Sequence, residues 1–135
     1  MTSQRDDDRS VFEIVGGQFF VKLVDCFYDG VERDEVLIRL YPEGSDTVGA
    51  RRRLAQFLTQ YWGGPDDYLQ ERGHPRLRMR HFDFSIGELE RDHWLMHMAT
   101  AIEAVIPDVD ESDREYVTME LAQYMVNAAE HLRNA

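Results

Sequence analysis

From Gln18 to Val31 the apolar residues Phe20, Leu23, Val24, Phe27 and Val31 return at steps of three and four, the spacing of one face of an α-helix. The strict alternation of a half-buried strand is absent from the chain, so the sequence must fold by burying helical stripes against one another. Asp34 is placed to cap a short helical turn from Glu35 to Leu40, which stops before Tyr41 and Pro42. A second long helix is predicted from near Asp46 or Thr47, with Leu54, Phe57, Leu58 and Tyr61 on its apolar side and the run Arg51 to Arg53 on its polar side. Ser85 followed by Glu88 reads as a capping box that opens a third. There Trp94, Met98, Ala101 and Val105 form one stripe and Leu95, Ala99, Ile102 and Ile106 a neighbouring one, so the helix is apolar over a wide arc and should be central. Pro107 ends it. A last helix follows the acidic turn from Asp108 to Asp113 and shows Val117, Leu121, Met125, Ala128 and Leu132. Four main helices in 135 residues predict one all-α domain, spanning 11–135 after a disordered leader at 1–10.

Fifteen Lys plus Arg against 26 Asp plus Glu give a net charge of -11, which argues against binding a phosphate backbone over the surface as a whole. No run is long and apolar enough to span a membrane, and the N-terminal residues lack the apolar core of a signal peptide. Cys26 is the only cysteine, so no intramolecular disulfide forms, which fits a cytoplasmic protein; its simplest role is that of a small buried hydrophobe.

Against that acidic background, four arginines, Arg72, Arg76, Arg78 and Arg80, crowd into the approach to His81. Gly63, Gly64 and Pro65 stop the helix before this segment, and Gly73 and Pro75 break the chain again. The double glycines, at Gly16 with Gly17 and Gly63 with Gly64, match no phosphate-binding loop and read as helix punctuation. Phe82 and Phe84 can wall an apolar site beside His81. A neutral imidazole ligates metal and guanidinium groups match planar carboxylates, which is what an iron porphyrin with two carboxylates requires. The residues alone leave His81 open between a ligand and a packed or solvated histidine. His93 and His97 share a helix face but lack the glutamate of the zinc-protease pattern, and read as a solvated or partly packed edge. His131 suits a helix C-terminus, and His74 a loop turn before Pro75. Tyr28, Tyr41, Trp94 and Trp62 are, taken singly, core aromatics.

The segment from Gln60 to Phe82 resembles the hallmark region of the group II truncated haemoglobins, small bacterial and plant globins that fold two helices over two around a haem. F-E-I-V-G-G at Phe12 to Gly17, C-F-Y at Cys26 to Tyr28, Y-P-E at Tyr41 to Glu43 and E-R-D-H-W-L at Glu90 to Leu95 fall in that family's order and spacing. The likeness runs from about Val11 to Ala129. It implies a two-over-two truncated globin fold and haem b, with His81 as the proximal iron ligand. It places Tyr28, Tyr41 and Trp94 on the distal side, where phenolic O–H and indole N–H groups donate to a held ligand. Ala50 falls at the distal-histidine position of larger globins, with Leu54 one turn on. Arg53 and Arg78 are implied to meet haem propionates, and Leu54, Phe57, Tyr61, Leu77, Phe82, Phe84 and Met98 to line the pocket.

Such a protein binds dioxygen, carbon monoxide, nitric oxide or peroxide. Oxygen binding or transport needs only the open haem and the distal donors. Nitric oxide dioxygenation or a peroxidase-like reaction would need an electron-donating reductase as well. A gas sensor calls for an output domain, and a haem-free helical interaction module leaves the arginines around His81 without a use. The oligomeric state stays open.

Overall fold

The structure, a computed structural model, describes residues 8–41, 46–73 and 85–134. Along the chain these form α1 (Val11–Val15), α2 (Gly17–Val31), α3 (Glu35–Ile38), α4 (Val48–Tyr61), α5 (Asp67–Arg72), α6 (Glu88–Val105), a 3₁₀ turn at Ile106–Asp108, and α7 (Glu111–Leu132). No strand occurs among the described residues.

The predicted stripe of α2 is the centre of the molecule. Phe20, Leu23, Val24, Phe27 and Val31 are all essentially solvent-free, and α2 packs on α4 along one side and on α6 along the other. α6 presents Met98, Ala101, Ile102 and Val105 to this core, and α7 presents Val117, Leu121, Met125 and Ala129 to α6. The result is two pairs of helices laid over each other. Each fully buried Leu, Phe or Met is worth roughly 1.5–3 kcal/mol in removed apolar surface, so this stripe sets the fold. Trp62 is core, as expected, and stacks on Phe20 with ring centroids 5.9 Å apart. Cys26 is half-buried rather than buried.

Two short helices were too brief to show a period in the sequence. α1 is opened by Ser10, whose Oγ accepts from the Glu13 N–H while the Glu13 carboxylate accepts from the Ser10 N–H. It ends at Gly16, held at φ 78° where an L side chain is disfavoured, and the chain turns directly into α2. Gly64 answers a different need, since a Cβ there would sit 2.6 Å from the Thr59 methyl and 2.7 Å from the Phe12 ring. Close approach of α1 to the end of α4, which the Phe12 N–H to Trp62 carbonyl bond at 3.1 Å also marks, requires a glycine. Within the segment expected as a leader, Ser10 makes this cap and Arg9 pairs with the buried Asp113 at 3.2 Å.

Three boundaries differ from expectation. α6 is capped at Gly87, not Ser85: Glu90 reaches back to accept from the Gly87 N–H at 2.8 Å, while Ile86 is held at both backbone groups by Asn134. α7 starts at Glu111, so Glu111 and Asp113 occupy its first turn, where carboxylates face the positive end of the helix dipole. The turn after Asp34 is helical only to Ile38. The Asp34 cap itself is present, with Oδ1 accepting from the Val36 N–H at 2.9 Å. No helix among the described residues is long and apolar enough to cross a membrane.

Candidate functional site

Three elements bring polar aromatics together. Tyr28 lies on the buried face of α2 at 5% exposure, Tyr41 follows α3 with its N–H bonded to the Ile38 carbonyl, and Trp94 sits on α6. Phe27 is the shared wall: its ring lies 5.0 Å from Tyr28 and 5.3 Å from Trp94, both edge to face. Tyr28 and Tyr41 meet edge to face at 5.7 Å.

Burial raises the Tyr28 phenol, and hydrogen bonding with Tyr41 and the nearby Arg53 and Arg51 charges only partly offset it. Burial pushes Tyr41 well above the ordinary tyrosine value, reinforced by Tyr28. Both therefore stay neutral donors. The two phenols thus lie close together on one side of the Phe27 wall, each able to donate. Beside them lies an apolar cavity of about 120 Å³, lined by Leu37, Leu40, Tyr41, Ile86, Trp94 and Leu132 among others.

The three consecutive arginines of α4 have separate fates. Arg51 binds Asp25 and Asp29 on α2 and Glu32 at its C-terminal cap, at 3.1, 2.9 and 2.7 Å, and these carboxylates hold its charge in place despite the burial that opposes it. Arg52 pairs with Glu71. Arg53 folds back towards Gly49 and holds no ion pair among the described residues. Ala50 and Leu54 on the same helix are half-buried against the core. Phe57 is buried and meets Tyr68 edge to face at 5.5 Å, and Met98 is 1% exposed. Tyr61 is more than half exposed, with its ring 4.2 Å from Tyr124. His81, Leu77, Arg78, Phe82 and Phe84, with His74, Arg76 and Arg80, lie outside the described residues.

Of the two alternatives that their sequence left, His93 and His97 take the partly packed one, and they share one acceptor. His93 Nδ1 and His97 Nε2 both meet Asp34 Oδ2, at 2.8 and 2.7 Å. Burial would raise the Asp34 carboxyl, but the two imidazoles and the Val36 N–H outweigh it and hold it at about 2. The sequence showed the paired histidines and the capping aspartate but not their union. Arg51 was also missed, although Asp25, Asp29 and Glu32 form an acidic stripe at one-turn steps that called for a cation. Among the described residues no group of histidine, cysteine and carboxylate side chains is arranged to hold a metal ion.

A family model described as bacterial-like globin matches residues 10–130. The chain is 38% identical over 120 residues to group 2 truncated hemoglobin YjbI of Bacillus subtilis (strain 168), covering 88% of this chain and 89% of that protein. Its structure is similar to that of a thermostable hemoglobin from the actinobacterium Thermobifida fusca, with TM-score 0.85 and 43% identity over 93% of this chain and 98% of the other. It is also similar to the truncated oxygen-avid haemoglobin of Bacillus subtilis, with TM-score 0.82 and 34% identity over 93% and 100% of the two chains.

Proposed function

Because this chain belongs to the bacterial-like globin family, among the group II truncated haemoglobins, we propose that it is a haem globin that reversibly binds dioxygen, and related diatomic ligands, in a pocket walled by Tyr28, Tyr41 and Trp94. The observation that carries this reading is the buried Tyr28 phenol against the half-buried Tyr41, beside an apolar cavity that Tyr41 and Trp94 line. A porphyrin would need apolar faces, a cation for its carboxylates and a nitrogen donor for its iron. Leu37, Leu40 and Leu132 supply the first and Arg53, without an ion pair among the described residues, the second. His81 is the proposed third, through one ring nitrogen, with the other donating to a backbone carbonyl to fix the tautomer. When bound, the haem supplies a ferrous iron with an open coordination position. The single cysteine rules out a paired thioether attachment, which supports haem b.

The chain's own contribution is polarity aimed at one point. The Tyr28 and Tyr41 O–H groups and the Trp94 N–H would donate to a held ligand, favouring dioxygen because its outer atom gathers negative charge. Arg53 and Arg78 would hold the propionates, while Leu54, Phe57, Tyr61, Met98, Leu77, Phe82 and Phe84 would line the pocket and keep water out. The Bacillus subtilis relative is described as oxygen-avid, which supports tight oxygen retention here. The same reading takes 11–135 as one globin domain working in the cytoplasm. An absorption spectrum of purified protein supplied with haem, then reduced under carbon monoxide, tests it. A protein-bound haem band that shifts on carbon monoxide addition is expected; a spectrum of free haem alone overturns the reading.

A further inference from the structure

We propose that Asp34, His93 and His97 form a clasp that positions the distal aromatics Tyr41 and Trp94 and thereby sets how firmly a diatomic ligand is retained. This rests on the haem-globin reading above. Asp34 is engaged on three sides. Its Oδ1 accepts from the Val36 N–H at 2.9 Å and its carbonyl accepts from the Ile38 N–H at 2.8 Å, which fixes the start of α3. Ile38 in turn accepts from the Tyr41 N–H at 3.0 Å, so the position of Asp34 reaches Tyr41 through one turn of backbone. On the second side, Oδ2 takes both imidazoles of α6, at 2.8 and 2.7 Å. Two N–H donors converging on one oxygen assign the proton to Nδ1 of His93 and to Nε2 of His97. Trp94 is the next residue after His93, so rotation of α6 that moved the indole would break the clasp.

The third side is α2. The His97 ring is seated directly on Gly30, where a Cβ would lie 2.5 Å from His97 Nδ1. Gly30 stands two residues after Tyr28. The clasp therefore ties together the three elements that carry Tyr28, Tyr41 and Trp94. Arg33 and Glu35 flank the cleft beside His97, but no ion pair joins them to it among the described residues. The Asp34 side chain is 9% exposed, and a carboxylate this dry is stable only while its donors stay in place. That makes the arrangement discrete rather than adjustable.

The test compares parent, His93→Ala/His97→Ala, His97→Gln and Gly30→Ala. Measurements are the C–O stretching band of the carbon monoxide complex, the dioxygen dissociation rate, and the near-ultraviolet dichroism of the tryptophans without haem. The double variant should keep haem, shift or broaden the C–O band, and release dioxygen roughly three- to tenfold faster. His97→Gln, whose amide N–H can replace Nε2–H, should lie near the parent. In a helix interior Gly→Ala ordinarily stabilises, yet Gly30→Ala should follow the double variant, because the methyl drives His97 off Asp34. Parental bands and rates in the haem-loaded double variant and in Gly30→Ala overturn the clasp. Should the double variant fail to fold, Gly30→Ala decides on the same readings. A parent that takes up no haem defeats the haem reading separately, and an unchanged tryptophan dichroism in Gly30→Ala then defeats the clasp as well.

Discussion

A phenol kept from water holds its proton more tightly, and Tyr28 and Tyr41 are both kept so. Tyr41 is pushed well above 10.0 and Tyr28 is raised from the same value, so the folded state holds protons that the unfolded chain releases. Their contribution to stability is complete below pH 10 and lost as pH rises from there through the folded values. Denaturant midpoints measured between pH 8 and the alkaline limit should therefore fall above about pH 10, and fall less in Tyr41→Phe. Asp34 has the opposite sign. Its carboxyl drops from 3.8 to about 2 on folding, so its contribution is present above pH 3.8 and is lost as pH falls through about 2. In ligand binding the same donors act directly. A hydrogen bond to a charged acceptor is worth roughly 1.5–3 kcal/mol, so losing one donor should speed dioxygen release by about ten- to a hundredfold, and removing all donors in Tyr28→Phe, Tyr41→Phe and Trp94→Phe together by at least that much. Carbon monoxide release, which senses less charge, should change less. Parental dioxygen release in the triple variant would return all three to the role of core aromatics.

Between elements, charge and close packing fix the spacing that periodicity alone leaves free. Arg51 spans α4 to α2 through Asp25, Asp29 and Glu32, and the Thr47 hydroxyl beneath it donates to Glu32. Arg51→Ala leaves three like charges facing one another, and thermal or denaturant unfolding should show a loss of about 1–2 kcal/mol, smaller at high salt. Gly64→Ala should cost about 1–3 kcal/mol, since the added methyl must displace Thr59 or Phe12. What the sequence disclosed follows the range of the interaction. α2 was legible because Phe20 to Val31 is long enough to show a period, and α4 and α7 likewise. α1 and α5 were not, having too few turns. The start of α6 was misread because Ser85 with Glu88 has the spacing of a capping box, whereas Gly87 has no side chain to cap with and shows only in the Glu90 carboxylate that accepts from its N–H. Asn134, at the far end of the helical chain, holds Ile86 and tips the choice. Tyr28, Tyr41 and Trp94 read as a site only through family resemblance, since alone each is an ordinary core aromatic. The clasp was invisible because Asp34 and His93 lie 59 positions apart.

At the scale of the whole molecule, the buried set that closes α2, α4, α6 and α7 consists of protein side chains meeting one another, with Phe20, Phe27, Leu58, Met98 and Leu121 free of solvent. Removing haem should therefore leave a helical, cooperatively melting protein, and adding it should act as ligand linkage does. Free haem at a hundredfold over its dissociation constant adds about 2.7 kcal/mol, which for a domain of this size raises Tm by roughly 5–15 °C. His81→Ala separates the two contributions. Its haem-free Tm should match the parent if the histidine serves only the iron, while most of the gain on adding haem should vanish with the bond to iron. His131→Ala, at the exposed end of α7, should keep the full gain. The comparison is made by calorimetry with and without haem, so a general loss of stability cannot imitate loss of the ligand. If His81→Ala retains the parental gain, the iron is held by another residue and the arginines flanking His81 must be assigned a different partner.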